Sequence, residues 1–171
     1  MIPQQKEIAD KAKTADRQFE IAQKNKEFQP SVLAVQTGST IRFPNLDEVK
    51  HNVYSFSPAQ NIDIPLYSSS EKKIPEQKFE KPGIVVIGCK IHDWMISYIY
   101  VVDSPYFAVS KNGLAQIEKV PFGKYTLSAW HPNLRQKNSF EKKIKFEKNN
   151  QLENVELFVK KGFSWIQPKN R

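Results

Sequence analysis

Cys89-Lys90-Ile91-His92-Asp93-Trp94-Met95 is the stretch that decides how this chain folds and what it holds. Apolar runs flank it, Ile84-Val85-Val86-Ile87 before and Ile96-Ser97-Tyr98-Ile99-Tyr100-Val101-Val102 after, so the spacing predicts two strands with the heptapeptide as the loop between them. The only cysteine, one of three histidines and the only methionine besides Met1 fall within these seven residues. Thirty-eight positions before Cys89 stands His51, followed by Asn52 and opening another apolar segment. Thiolate and imidazole are soft to borderline ligands and suit copper better than magnesium, calcium or manganese. Two histidines and a cysteine in a plane, with a weak and distant methionine sulfur, are the arrangement of a blue-copper electron-transfer site. Cys89 ends one strand in this reading, Met95 begins the next, His92 occupies the tight loop, and His51 closes the plane from a neighbouring strand.

Working outward, short strands separated by turn signals continue on both sides. Ser31-Val32-Leu33-Ala34-Val35 and Thr40-Ile41-Arg42-Phe43 flank a turn at Thr37-Gly38-Ser39, and Asn52-Val53-Tyr54-Ser55-Phe56 follows. A polar, proline-bearing excursion runs through Ser68-Ser69-Ser70 to Pro75. Ile8, Ala12 and Ala15 give residues 1–18 at most a weak helix or a linker. The expected class is all-β: an antiparallel Greek-key sandwich over 19–104, then a small C-terminal antiparallel β-sandwich segment over 105–171. The boundary is placed at Asp103-Ser104-Pro105, where the composition turns basic. In the last segment strands are expected at Leu114–Glu118, at Lys124–Trp130 after the Pro121-Phe122-Gly123 turn, around Ile144 and Phe146, and through Val155, Leu157 and Val159.

The 171 residues are 39% hydrophobic and 26% charged, enough to bury a core in one large or two small domains. One cysteine excludes an internal disulfide framework, a four-thiolate zinc site and a cysteine-ligated iron–sulfur cluster. Three histidines are too few for a multinuclear copper oxidase. No apolar run is long enough for a membrane span. The net charge of +8 lies wholly in residues 105–171, in stretches such as Lys142-Lys143-Ile144-Lys145. That excess is a solvated strand face or a docking surface for an acidic partner; with lysine predominant and no binding motif, nucleic acid is not expected. Met1-Ile2-Pro3-Gln4-Gln5-Lys6 carries no apolar signal region, which is the expectation for a cytosolic, processed or trimmed chain.

Phe43-Pro44-Asn45 leading to His51-Asn52-Val53, and Pro82-Gly83 leading to the Cys89 loop, resemble the cupredoxins of the plastocyanin and amicyanin kind. Tyr54-Ser55-Phe56-Ser57 and Gly88-Cys89-Lys90-Ile91-His92-Asp93 are similar to periplasmic, methylamine-utilisation-like members. The resemblance covers about residues 19–104. It implies one copper ion, Cu(I)/Cu(II), held by His51, Cys89, His92 and Met95, with Asn52 tying the two ligand loops together. It implies a periplasmic one-electron carrier with a redox protein partner, not an enzyme. Two positions depart from the pattern: Ile87 stands where an aromatic is common, and Asp93 follows His92 where amicyanin has proline. Gly113–Lys160 resembles the second half of a prealbumin-like, carboxypeptidase-regulatory-type sandwich, whose opening strands would precede the copper domain. A chain beginning inside its native protein is the corresponding expectation.

Trp94 and Asp93 fall where a partner-facing rim is expected, although Trp94 equally suits plain packing. His131, in Trp130-His131-Pro132, reads as a structural histidine at a strand end; the alternative is an approach to the copper loop across the domain boundary. Glu118, Glu141, Glu153 and Glu156 form no acid–base pair, and no nucleophile elbow, phosphate loop or dinucleotide fingerprint is present. Besides the electron carrier, a copper-binding or trafficking protein and a structural module docking through its basic end fit the same residues. The oligomeric state is not encoded in any motif.

Overall fold

The computed structural model describes residues 18–135 and 139–160. The weak helix expected before residue 18 lies outside them. Among the described residues there are twelve strands and no helix: β1 (Phe19–Glu20), β2 (Ala22–Lys24), β3 (Glu27–Gln29), β4 (Val32–Gln36), β5 (Thr40–Arg42), β6 (His51–Ser57), β7 (Gln60–Tyr67), β8 (Glu76–Lys78), β9 (Gly83–Cys89), β10 (His92–Val102), β11 (Gly123–Ala129) and β12 (Phe140–Phe146). The chain divides into two compact units between Ile117 and Glu118.

In the first unit a five-stranded sheet, β4-β10-β9-β6-β7, faces a three-stranded sheet, β1-β5-β8. Period-two alternation aims one side of each strand inward. Val53, Ile62, Val85, Ile87, Ile99 and Val101 come from the larger sheet and Ile41 from the smaller, with Phe43 and Phe79 from its flanking loops, into one buried core. Fully burying such a side chain stabilises by about 1.5–3 kcal/mol. The all-β expectation holds, but the pairing is not antiparallel throughout. β10 pairs with β4 in parallel, Tyr98 opposite Val32 through Val102 opposite Gln36, and β1 pairs with β5 in parallel.

Where the sequence suggested only a polar excursion there is an eight-residue strand, β7. It contains Pro65, which is tolerated because β7 is the sheet edge and Pro65 sits at a bulge. His51 lies opposite Tyr67 and Val53 opposite Ile64, so β7 carries one extra residue there. Gly88 of β9 lies beneath the Tyr54 ring of β6; a Cβ there would come 2.9 Å from the ring carbon Cζ. Only glycine lets that ring close over the strand.

The second unit, by itself, holds a two-stranded antiparallel sheet of β11 and β12, with Gly123 opposite Phe146 and Ala129 opposite Phe140. The strand expected at Leu114–Glu118 is absent: Leu114 makes only an isolated bridge, to Lys111. The strand expected through Val155–Val159 is likewise reduced, among the described residues, to a bridge between Val159 and Leu134.

Candidate metal centre

β9 ends on Cys89 and β10 begins on His92, the two residues lying opposite each other across a turn of only Lys90 and Ile91. The turn is tighter than the loop expected from the sequence, and His92 already belongs to the returning strand. β6 pairs with β9 through Tyr54 and Gly88, which brings His51, the first residue of β6, alongside Cys89. The result is three side chains from adjacent strand ends, with their donor atoms all within 4.8 Å of one another. Cys89 Sγ lies 3.8 Å from His51 Nδ1 and 3.9 Å from His92 Nδ1. Both imidazoles therefore turn the same ring nitrogen towards the sulfur. His51 and Cys89 are buried and His92 is partly exposed. The ring centroids of the two histidines are 4.9 Å apart.

Met95 follows His92 by three residues, in the irregular stretch of β10 between His92 and Ile96, and is buried in the same core cluster as Cys89. Asn52 Oδ1 accepts the Lys90 N–H at 2.8 Å and the Cys89 thiol at 3.4 Å, so this side chain joins β6 to the cysteine turn. Its Nδ2 is buried without a hydrogen-bond partner. Asp93 is exposed. Trp94 packs partly buried against the core, its ring centroid 5.2 Å from that of His92, and its Nε1–H donates to Lys26 O at 3.0 Å. His131 is exposed in the second unit and its Nδ1 accepts the Asn133 N–H at 3.0 Å. It is not part of the donor group.

A carboxylate that sequence reading passed over completes the surroundings. Asp47 Oδ2 lies 2.8 Å from His51 Nε2, on the ring edge away from Cys89. Asp47 also accepts the Asn25 N–H at 2.6 Å and the Lys26 N–H at 2.9 Å. Partial burial pushes its carboxyl up, and these bonds with His51 more than reverse that, leaving it below the ordinary carboxylate value. Burial, with the nearby His51 and Lys26, pushes His92 below the ordinary histidine value. Behind the site Tyr67 is hydrogen-bonded by the Gln23 amide and donates to Phe43 O at 2.7 Å; burial pushes its phenol up. Asn45 Nδ2 donates to Val49 O and Tyr67 O, and Asn45 Oδ1 accepts the Asp47 N–H, which shapes the loop leading to His51. Only the four-residue step from Asp47 to His51 was visible in the sequence. Gln23 and Tyr67 carried no signal of their own.

The donor chemistry fits a soft or borderline metal: one thiol and two imidazoles converge, with a thioether nearby in sequence, and no further His, Cys, Asp or Glu joins that group among the described residues. The group is carried by an all-β fold, where β6 begins, β9 ends and β10 begins. No protein-family model and no curated protein matches the chain. Among solved structures it is similar to a reduced Cu(I) form of an amicyanin variant, at 19% identity over 53% of this chain and 88% of amicyanin, with a TM-score of 0.46. It is similar to a purple cupredoxin from Nitrosopumilus maritimus, at 22% identity over 49% of this chain and 99% of that one, with a TM-score of 0.43. A copper-containing nitrite reductase from Thermus scotoductus SA-01 matches at 24% identity over 49% of this chain, with a TM-score of 0.46; the match spans only 22% of that reductase. These are likenesses of outline, and the donor group stands on its own geometry.

Proposed function

We propose that this chain is a type 1 copper protein that carries single electrons, with His51, Cys89, His92 and Met95 as the ligands. The observation that carries the reading is the placement of Cys89 Sγ 3.8 and 3.9 Å from the Nδ1 atoms of two histidines on adjoining strand ends. Copper bound there supplies a one-electron Cu(II)/Cu(I) couple. The protein's own part is to hold the donors on a rigid sheet. His51 and Cys89 are fixed within the core, Asn52 locks the cysteine turn, and His92 alone reaches the surface, where a partner approaches. Four protein ligands leave no position for a substrate, so the reading is a carrier and not an enzyme. Within it, residues 19–104 form the copper domain and 105–171 a basic accessory β domain. The partner is a redox protein whose acidic surface suits that basic domain, and the setting is the periplasm. The partial exposure of His92 also supports a second reading, in which the site takes up and delivers copper without cycling.

The test is a visible absorption titration of the metal-free protein with Cu(II), beside Cys89→Ser. An intense thiolate-to-copper band is expected to saturate at one equivalent and to vanish in the variant. A colourless wild-type protein sinks the carrier reading. A band that forms but bleaches rapidly, with loss of the free thiol, favours copper delivery.

A further inference from the structure

Asn25 and Lys26 form the two-residue turn between β2 and β3, and both have φ of 56°, in the left-handed region. A turn with two positive φ angles suits the twist of a hairpin, but glycine is strongly preferred at its second position. Lysine there is strained, and such strain persists only where the surroundings over-determine it. Here the surroundings are the metal centre. The Lys26 N–H donates to Asp47 Oδ2 and the Asn25 N–H to Asp47 Oδ1, while Asp47 Oδ2 also meets His51 Nε2. The Lys26 carbonyl accepts the Trp94 indole N–H, and the Trp94 ring lies against His92.

We propose that Lys26, through both of its peptide groups, positions the two imidazoles of the copper site, its N–H by way of Asp47 and its C=O by way of Trp94. This rests on the copper reading above and adds to it two positioning residues, Asp47 and Trp94, and one strained turn. An ionised carboxylate can only accept, so the proton of His51 sits on Nε2 and its Nδ1 lone pair faces Cys89, free to hold a metal ion. The anionic partner also makes His51 a stronger donor, which favours Cu(II) over Cu(I). Trp94, tied by its N–H, lies against the partly exposed ring of His92, the two ring centroids 5.2 Å apart.

Three measurements test this. In the metal-free wild-type protein, nitrogen NMR of the His51 ring is expected to show the Nε2–H tautomer; a proton on Nδ1 overturns the proposal without any variant. In Asp47→Asn, either orientation of the amide sets a donor against a donor and the charge is gone. Affinity for Cu(II) is expected to fall about 10–100-fold, and by less than that for Cu(I). Each tenfold difference between the two reads as a rise of about 59 mV in reduction potential. Equal losses for both oxidation states, or affinity and potential both unchanged, overturn the arm through Asp47. Trp94→Phe keeps an aromatic ring and removes the N–H; it is expected to weaken copper binding by less than Asp47→Asn and to leave the His51 tautomer alone. Wild-type affinity in Trp94→Phe overturns the arm through Trp94. If no thiolate-to-copper band forms in the wild type yet His51 is the Nε2–H tautomer, the copper function fails while the Asp47 anchoring stands.

Discussion

Asn52 uses its one carbonyl oxygen twice, for the Lys90 N–H and for the Cys89 thiol, and both contacts are buried or nearly so. Removing a partner from a buried donor costs about 1–3 kcal/mol. Asn52→Ala is therefore expected to lower the stability of the metal-free protein by that amount, seen as a lower urea midpoint with an unchanged slope. His92 gives a pH dependence whose sign follows from its depressed value. Between its folded value and the ordinary 6.5 the native state binds fewer protons than the unfolded chain, so stability rises with pH across that window. Acidifying the metal-free protein from above 6.5 down through the window is expected to destabilise it. In His92→Gln that part of the pH dependence disappears, as urea midpoints collected across the range will show. The convergence of His51, Cys89 and His92 was legible in the sequence because thiol and imidazole donors are rare in this chain. Asp47 was not, because an acidic residue in a loop is ordinary until the fold sets it against an imidazole.

At the scale of elements, the apolar strands β4, β6, β9 and β10 followed from alternation and turn signals, each within a few residues of its ends. β7 escaped because proline and exposed polar residues deny it a clean pattern, and an edge strand with a bulge needs none. The expected strands at Leu114–Glu118 and Val155–Val159 failed for the opposite reason: alternation was present, but among the described residues each meets only a single bridge and no ladder. Gly88 gives this scale its prediction. A methyl group there meets the Tyr54 ring at 2.9 Å, and overpacking of this kind costs about 1–3 kcal/mol. Gly88→Ala is expected to lower the melting temperature, and Tyr54→Leu in the same chain to recover most of the loss. A double-mutant cycle showing the two changes to be additive would refute the clash.

Across the whole molecule the charge is divided as the two compact units are. Residues 118–171 carry twelve Lys and Arg against five Asp and Glu, a net +7, while residues 1–117 are close to neutral. The donor group and the charge excess thus sit on different parts of the chain. The parallel pairing of β4 with β10 has a consequence for time as well as for shape. Val32 meets Tyr98 and Gln36 meets Val102, partners separated by 66 residues of chain. Closing so long a loop is slow, and sheets built from distant segments fold in milliseconds to seconds, not microseconds. His51 and Cys89 likewise come together only when β6 has found β9. The donor group is thus a late product of assembly, and the metal meets it only after the slow step has passed. In stopped-flow experiments copper is expected to leave the refolding rate unchanged and to slow unfolding, so that the loaded protein is set apart from the empty one by how long it lasts.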